Sequence, residues 1–278
     1  MSFKESFNSS KILFKQSLKI LFDDKTLLVF PILSLILTLS IVIILIIPLF
    51  GINFIVSFFP ALEILRQSIV LVIFILYFLI YYIGVFFSAA LVGAAKQSLE
   101  GVNTTVGTGL KIAWDHKFQL LKWTVVAATV GVILKRIRKM NVLGSIISGV
   151  GAIAWHLINY FIIPILVFEH LNIKDSITRS KNLFIKTWGT NLISAVGIGL
   201  VGGLGFFATI GIIILAAMLG LFKIMIFLIF ILLPTWIILM STLGAIFNTA
   251  LYIYASTGKI PAGYSPELIQ NAFKKKST

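Results

Sequence analysis

The chain has 278 residues, with 23 Lys or Arg against 9 Asp or Glu and a formal net charge of +14; 59% of residues are hydrophobic and 12% charged, and the mean hydropathy is +1.08. Soluble domains carry about 25% charged residues, so a soluble domain is excluded, and zero cysteines exclude disulfides, thiolate catalysis and cysteine-held metal or iron–sulfur centres. The apolar residues form runs long enough to cross a bilayer of roughly 30 Å, unlike the short alternating segments of a β-barrel, so the positive charge points to anionic lipid and not to nucleic acid.

In chain order, an amphipathic helix comes first. Phe3, Phe7, Phe14, Leu18 and Leu21 share one face, with Lys4, Lys11, Lys15 and Lys19 beside them. An apolar run over 26–50 follows. It is too long for a signal h-region of about 7–15 residues and lacks a small-residue cleavage site after it, so it is expected to stay in the mature protein. A second run covers 68–94. A second amphipathic segment then places Val106, Leu110, Trp114, Phe118 and Leu121 together.

A short run at 123–134 ends in four positive charges, Lys135, Arg136, Arg138 and Lys139. The thirteen residues from Lys122 to Leu134 at about 1.5 Å each give roughly 20 Å, thin for a crossing. If this run crosses, alternate loops hold 17 and 6 basic residues; if it only dips in, the split is 14 and 9. The positive-inside rule prefers the first arrangement, in which the cluster faces outward as the one exception. Its side chains then anchor a short span to headgroups or bind lipid phosphate.

Further runs cover 142–168, 192–217 and 224–254. The third amphipathic helix lies between the first two of these, with Ile173, Ile177, Phe184 and Trp188 on one face and Lys174, Arg179, Lys181 and Lys186 elsewhere. The three helix-to-span junctions match: ILFDDKTLL (20–28), IAWDHKFQLL (112–121) and IKTWGTNLI (185–193). Each has an aromatic suited to the headgroup level and polar residues suited to a turn. The reading is an all-α integral membrane protein of six transmembrane helices, as three repeats of interfacial amphipathic helix plus transmembrane hairpin. Units fall at about 1–95, 96–168 and 169–255, with a basic cytoplasmic tail over 256–278 and both termini cytoplasmic.

The stretches WTVVAATVGVIL and SGVGAIAWHLINYFIIPILVFEHLNIKDSITRSKNLFIKTWG (within 123–189) resemble an uncharacterised family of prokaryotic six-span membrane proteins. The layout is more distantly similar to the membrane domain attached to some glycerophosphodiester phosphodiesterases. The resemblance implies the six-span fold and no activity.

No carboxylate lies within a span, which argues against a proton-coupled relay. No paired aspartates, His-Glu-x-x-His motif or P-loop is present, and no cofactor or metal is expected. His156 is the ionisable group inside a span. Asn159 and Tyr160 follow at i+3 and i+4, and Thr129 could extend a polar ligand or ion path. Gly199 with Gly203, and Ser145 with Gly149, have the four-residue spacing that lets membrane helices approach closely. The expected function is a non-enzymatic, multi-pass protein of the cell (cytoplasmic or inner) membrane. It would bind lipids through their anionic headgroups and serve as a scaffold or partner-binding subunit, with a protein partner or a second copy open. The alternative is a small transporter or channel with a seam near His156.

Overall fold

The computed structural model describes residues 3–58, 64–140, 142–188 and 192–266, with side chains described for 11–46, 51, 71–140, 143–186 and 203–266. All regular structure among them is helical. Helix α1 (Phe3–Asp23) leads through a 3-10 turn (Lys25–Leu28) into the long pair α2 (Val29–Phe58) and α3 (Ile64–Leu99). Helix α4 (Val106–Asp115) precedes α5 (Lys117–Arg138), α6 (Val142–Asn159) and α7 (Ile162–Phe168). Helix α8 (Ile173–Trp188) precedes α9 (Leu192–Met218), α10 (Phe222–Phe227), a π-helical stretch (Leu228–Leu232) and α11 (Leu233–Thr257).

Four of the helical runs are long and apolar enough to cross a membrane: Lys25–Ile46, Leu71–Leu99, Leu143–Phe168 and Phe222–Thr257. Their most apolar windows are 6%, 11%, 33% and 0% buried, so these helices present their side chains outward, as lipid-facing helices do. The described apolar part of α9, Gly203–Met218, is shorter. Helix α5 runs unbroken through Lys122, so the short apolar run sits inside a 22-residue helix of roughly 33 Å. Lysines on its first two turns and the basic cluster on its last make it less apolar than the four.

Burial is concentrated at one end. There the amphipathic helices dock on the ends of the long pairs, and Leu13, Leu21, Phe30, Leu120, Trp123, Phe161, Ile165, Leu183 and Ile246 close a common core. Small residues set the spacing. The stretch Ala89, Ala90, Gly93, Ala94 and Ala95 lets α4 lie against α3, with Ile112 over Gly93 and Phe30 over Gly109. A Cβ on Gly109 would stand 2.4 Å from the Phe30 ring and 2.9 Å from the Ala90 carbonyl oxygen.

The amphipathic helices bury small or hydroxyl-bearing residues alongside Leu13, Leu21, Leu183 and Phe184, and leave several large apolar residues at the junctions outward. Ser17 on α1, Gly109 and Ala113 on α4, and Ser176 and Ser180 on α8 are buried, whereas Phe22, Trp114, Phe118 and Ile185 are exposed. At the opposite end, Ile43, Ile44, Leu71, Val132, Leu143, Leu215, Phe227 and Phe230 are exposed.

Candidate functional site

The junctions between amphipathic helices and long helices are tied together by side chains. Asp24 caps the start of the 3-10 turn after α1. Its Oδ1 accepts from the Thr26 amide at 3.1 Å and its Oδ2 accepts from the Thr104 hydroxyl, in the loop leading to α4. Thr105 next to it caps α4 in a reciprocal pair with Thr108. The second junction repeats the arrangement. His116, between α4 and α5, places Nδ1 2.8 Å from the Ile112 carbonyl, so that nitrogen carries the proton. Its Nε2 then accepts from His170 Nδ1 at 3.3 Å, in the loop leading to α8, with the two rings stacked at 5.2 Å. His170 reaches this position with φ of 51°, a left-handed turn that histidine tolerates better than branched residues do. Gln119 donates to the Leu171 carbonyl beside it, and Asn172 caps α8 by accepting from the Asp175 amide at 2.9 Å.

Glu169 closes the same region. Arg179 Nε on α8 donates to Oε2 at 2.8 Å and Oε1 at 3.2 Å, and the Tyr252 hydroxyl on α11 donates to Oε1 at 3.0 Å. One carboxylate therefore holds three segments with charge-assisted bonds, the stronger kind. The chain after α11 returns to α1: the Ala262 amide donates to the Leu99 carbonyl at 3.0 Å, and the Tyr264 and Ser17 hydroxyls are 2.6 Å apart. Burial pushes the Tyr264 phenol above its ordinary range, and the bond to Ser17 offsets part of that shift.

The 142–168 run is a broken helix, and its break is stitched from two other helices. Pro164 has no N–H for the carbonyl four residues earlier, that of Tyr160. Asn248 on α11 donates to it instead, at 2.6 Å. On α8, Ser180 accepts from the Phe161 amide at 3.2 Å and donates to the Ile158 carbonyl. In lipid these backbone groups have no water to turn to, so the two side chains permit a break that a bilayer otherwise forbids.

The residues named for a polar path are not gathered in one place. Thr129 is exposed and bonded to its own helix at the Val125 carbonyl, 2.8 Å away, and His156 is exposed on α6. Tyr160 contributes its carbonyl to the stitched break. Asn159 lines a cavity of about 430 Å³ between α3, α5 and the α6–α7 break, and its side-chain oxygen is buried with no hydrogen-bond partner among the described residues. Thr124 and Thr249, which also suit such a path, bond to the Leu120 and Ala245 carbonyls.

Lys135, Arg136, Arg138 and Lys139 are exposed at the end of α5 and in the turn after it. Of the small residues, Ser145 and Gly149 are exposed, and a Cβ on Gly149 or Gly203 meets nothing within 4 Å. The surroundings of Gly199 lie outside the described side chains. The face of α6 turned to α5 is offset by one residue: Ser148 donates to the Leu134 carbonyl at 2.8 Å, and a Cβ on Gly151 would lie 3.0 Å from Leu134. On α9 it is Gly205 that lies under Trp236.

The lysines of the amphipathic helices form a collar at the packed end. Lys11, Lys15 and Lys19 on α1, Lys111 on α4, and Lys174, Lys181 and Lys186 on α8 are exposed. The ion pairs among the described residues are Arg179–Glu169 and Lys96–Glu100. Lys117 instead lies over the Trp114 ring, 4.1 Å from its centroid.

Four helices of this length and apolarity, in an all-α chain, define the class: an α-helical membrane protein. Within it, the chain belongs to a family of unknown function (DUF6159), whose model matches residues 67–262. That stretch runs from within α3 to the Ala262 contact and contains all the stitched-break and Glu169 groups. No match is found among curated proteins or among solved structures.

Proposed function

We propose that this protein is a non-enzymatic, multi-pass protein of the cell membrane that acts as a lipid-interacting scaffold or partner-binding subunit. Its three units of interfacial helix plus hairpin make six spans with both termini cytoplasmic, and the lysine collar rests on anionic headgroups of the inner leaflet. The observation that supports the reading is the collar itself. Among the described residues its lysines are exposed and in no ion pair with an acidic side chain, and Phe22, Trp114 and Phe118 are exposed on the same or adjoining helices, as rings at the headgroup level are. The parallel bonding of Asp24 to Thr104 and His116 to His170 supports the repeat.

Quenching of tryptophan fluorescence in reconstituted vesicles tests the lipid contact. Brominated phosphatidylglycerol should quench more than brominated phosphatidylcholine. Each collar lysine changed to Gln should reduce the preference by about 1 kcal/mol, roughly fivefold. Equal quenching by the two lipids would sink the collar. The cysteine-free background makes the topology directly testable: Arg138→Cys should react with an impermeant maleimide in intact cells, and protection would remove the six-span arrangement.

The alternative, a small transporter or channel, draws support from the cavity that holds the unpartnered Asn159 oxygen. A continuous polar path to Thr129 and His156 would need rearrangement of both exposed side chains.

A further inference from the structure

A second cavity, of about 380 Å³, lies between α2, α3 and α11. Its walls carry four hydroxyls, from Ser34 and Thr38 one turn apart on α2, Ser88 on α3 and Ser241 on α11, and none of its lining residues is ionisable. The behaviour of these hydroxyls separates the site from the rest of the helices. Ser40, Thr124, Thr129, Thr209, Thr235, Thr242 and Thr249 all donate to the carbonyl four residues earlier. That is the ordinary way to satisfy a hydroxyl at membrane depth. Ser34, Thr38 and Ser88 make no hydrogen bond among the described residues. Ser34 stands nine residues past Lys25, roughly 13 Å along the helix. Three unpaired hydroxyls at that depth are costly unless something polar meets them.

The backbone around the cavity is also irregular. Pro31 and Pro234 both line it, from facing helices. The π-helical stretch Leu228–Leu232 ends just before Pro234, and π turns in α-helices are frequent at functional sites. Across α3, the cavity of Asn159 shares Gly84 and Ser88 with this one. A Cβ on Gly84 would meet nothing within 4 Å, so the helix surface is open at this shared position. The volume lies within the roughly 300–1,000 Å³ of ligand pockets.

We infer that the crevice around Gly84 and Ser88 binds an uncharged membrane lipid whose polar part is a hydroxyl. A lipid alcohol can accept from one of the Ser34, Thr38 and Ser88 hydroxyls and donate to another of them. A carboxylate or phosphate would enter a space with no cation to neutralise it. The head sits in the crevice and the chains lie along the outward faces of α2 and α11. The site is separate from the proposed collar, which takes anionic headgroups.

Photolabelling of the full chain in phosphatidylcholine vesicles tests this. The probes are a diacylglycerol, a fatty acid and a phosphatidic acid, each with a diazirine in an acyl chain, and adducts are mapped by mass spectrometry. The diacylglycerol should label the cavity-lining stretches of α2, α3 and α11, and excess unlabelled diacylglycerol should compete. Gly84→Phe should reduce that label about tenfold by placing a ring in the shared crevice beside Ser88, whereas Gly84→Ala should keep fold and label. Should Gly84→Phe fail to fold, Ser34→Ala with Ser88→Ala carries the test, with a loss of about fivefold or more. Label spread evenly over all outward helix faces, label that does not compete, or equal label from the fatty acid would overturn the inference.

Discussion

The two ends of this molecule obey different rules. At the junction end, α1, α4 and α8 pack on the long helices over a closed core, and Asp24, His116, Glu169 and Tyr264 are each bonded to another segment. At the other end Ile43, Leu71, Leu143 and Phe230 stand exposed on the long helices. In water that exposure would be unfavourable. In lipid an apolar side chain loses little by facing a hydrocarbon tail, so no hydrophobic force draws the distal helices together. Position is decided where water, headgroups and protein meet, by small residues and paired polar groups. The difference teaches that stability is located at the junction end and that the distal ends are held mainly by the bilayer.

Substitutions matched between the two ends can break or sharpen that contrast. Gly109→Val should have the largest effect. Its Cβ meets the Ala90 backbone and the Phe30 ring, so thermal unfolding in detergent should show a loss of about 3 kcal/mol or no folded protein. Gly149→Val, at the open end, should stay within about 0.5 kcal/mol, and equal losses at the two glycines would end the comparison.

Asn248→Leu strips the Tyr160 carbonyl of its donor and should cost about 1–3 kcal/mol in the same assay. A stability unchanged by it would mean that the broken helix needs no stitch. Thr129→Val, which removes only a bond within its own helix, should be nearly silent.

Tyr264→Phe should cost about 1 kcal/mol at neutral pH through the lost bond to Ser17. Its pH dependence has a definite sign. The folded phenol titrates above the unfolded one, so this contribution is complete below about pH 10 and declines above it. Unfolding followed against pH should show a shallower alkaline loss in the Phe variant than in the parent, and identical slopes would place Tyr264 outside the buried contact. The smallest effect belongs to Lys135→Gln with Arg136→Gln, exposed at the end of α5, which should leave stability within about 0.5 kcal/mol.

Much of the architecture was legible because its signals are local. The first and third amphipathic helices repeat every 3.6 residues around Lys4 to Lys19 and Ile173 to Lys186, and the long apolar runs carry their own length requirement. The second, expected over Val106 to Leu121, instead ends at Asp115, with Phe118 and Leu121 on α5 after the turn at His116. The buried strip was harder to see. Ser17, Ser176 and Ser180 read as polar positions, yet they face the protein, while Trp114, the largest apolar residue of α4, and Phe118, in the first turn of α5, face out. The single run over 142–168 gave no sign of a break beyond Pro164, since one proline at a helix start and one at a kink look alike.

By itself the sequence determined that this is an α-helical membrane protein with basic amphipathic helices beside its long apolar runs, because hydropathy, charge and helical period are properties of neighbours in the chain. Only the tertiary structure decided that Asn248 and Ser180 would serve the freed backbone at Tyr160 and Phe161, that His116 would meet His170, and that Ser34, Thr38 and Ser88 would be left unpaired around one cavity. Those are pairings between residues up to 88 positions apart. The physical reason is that a hydrogen bond depends on distances of a few ångströms between segments, and helix packing sets those distances.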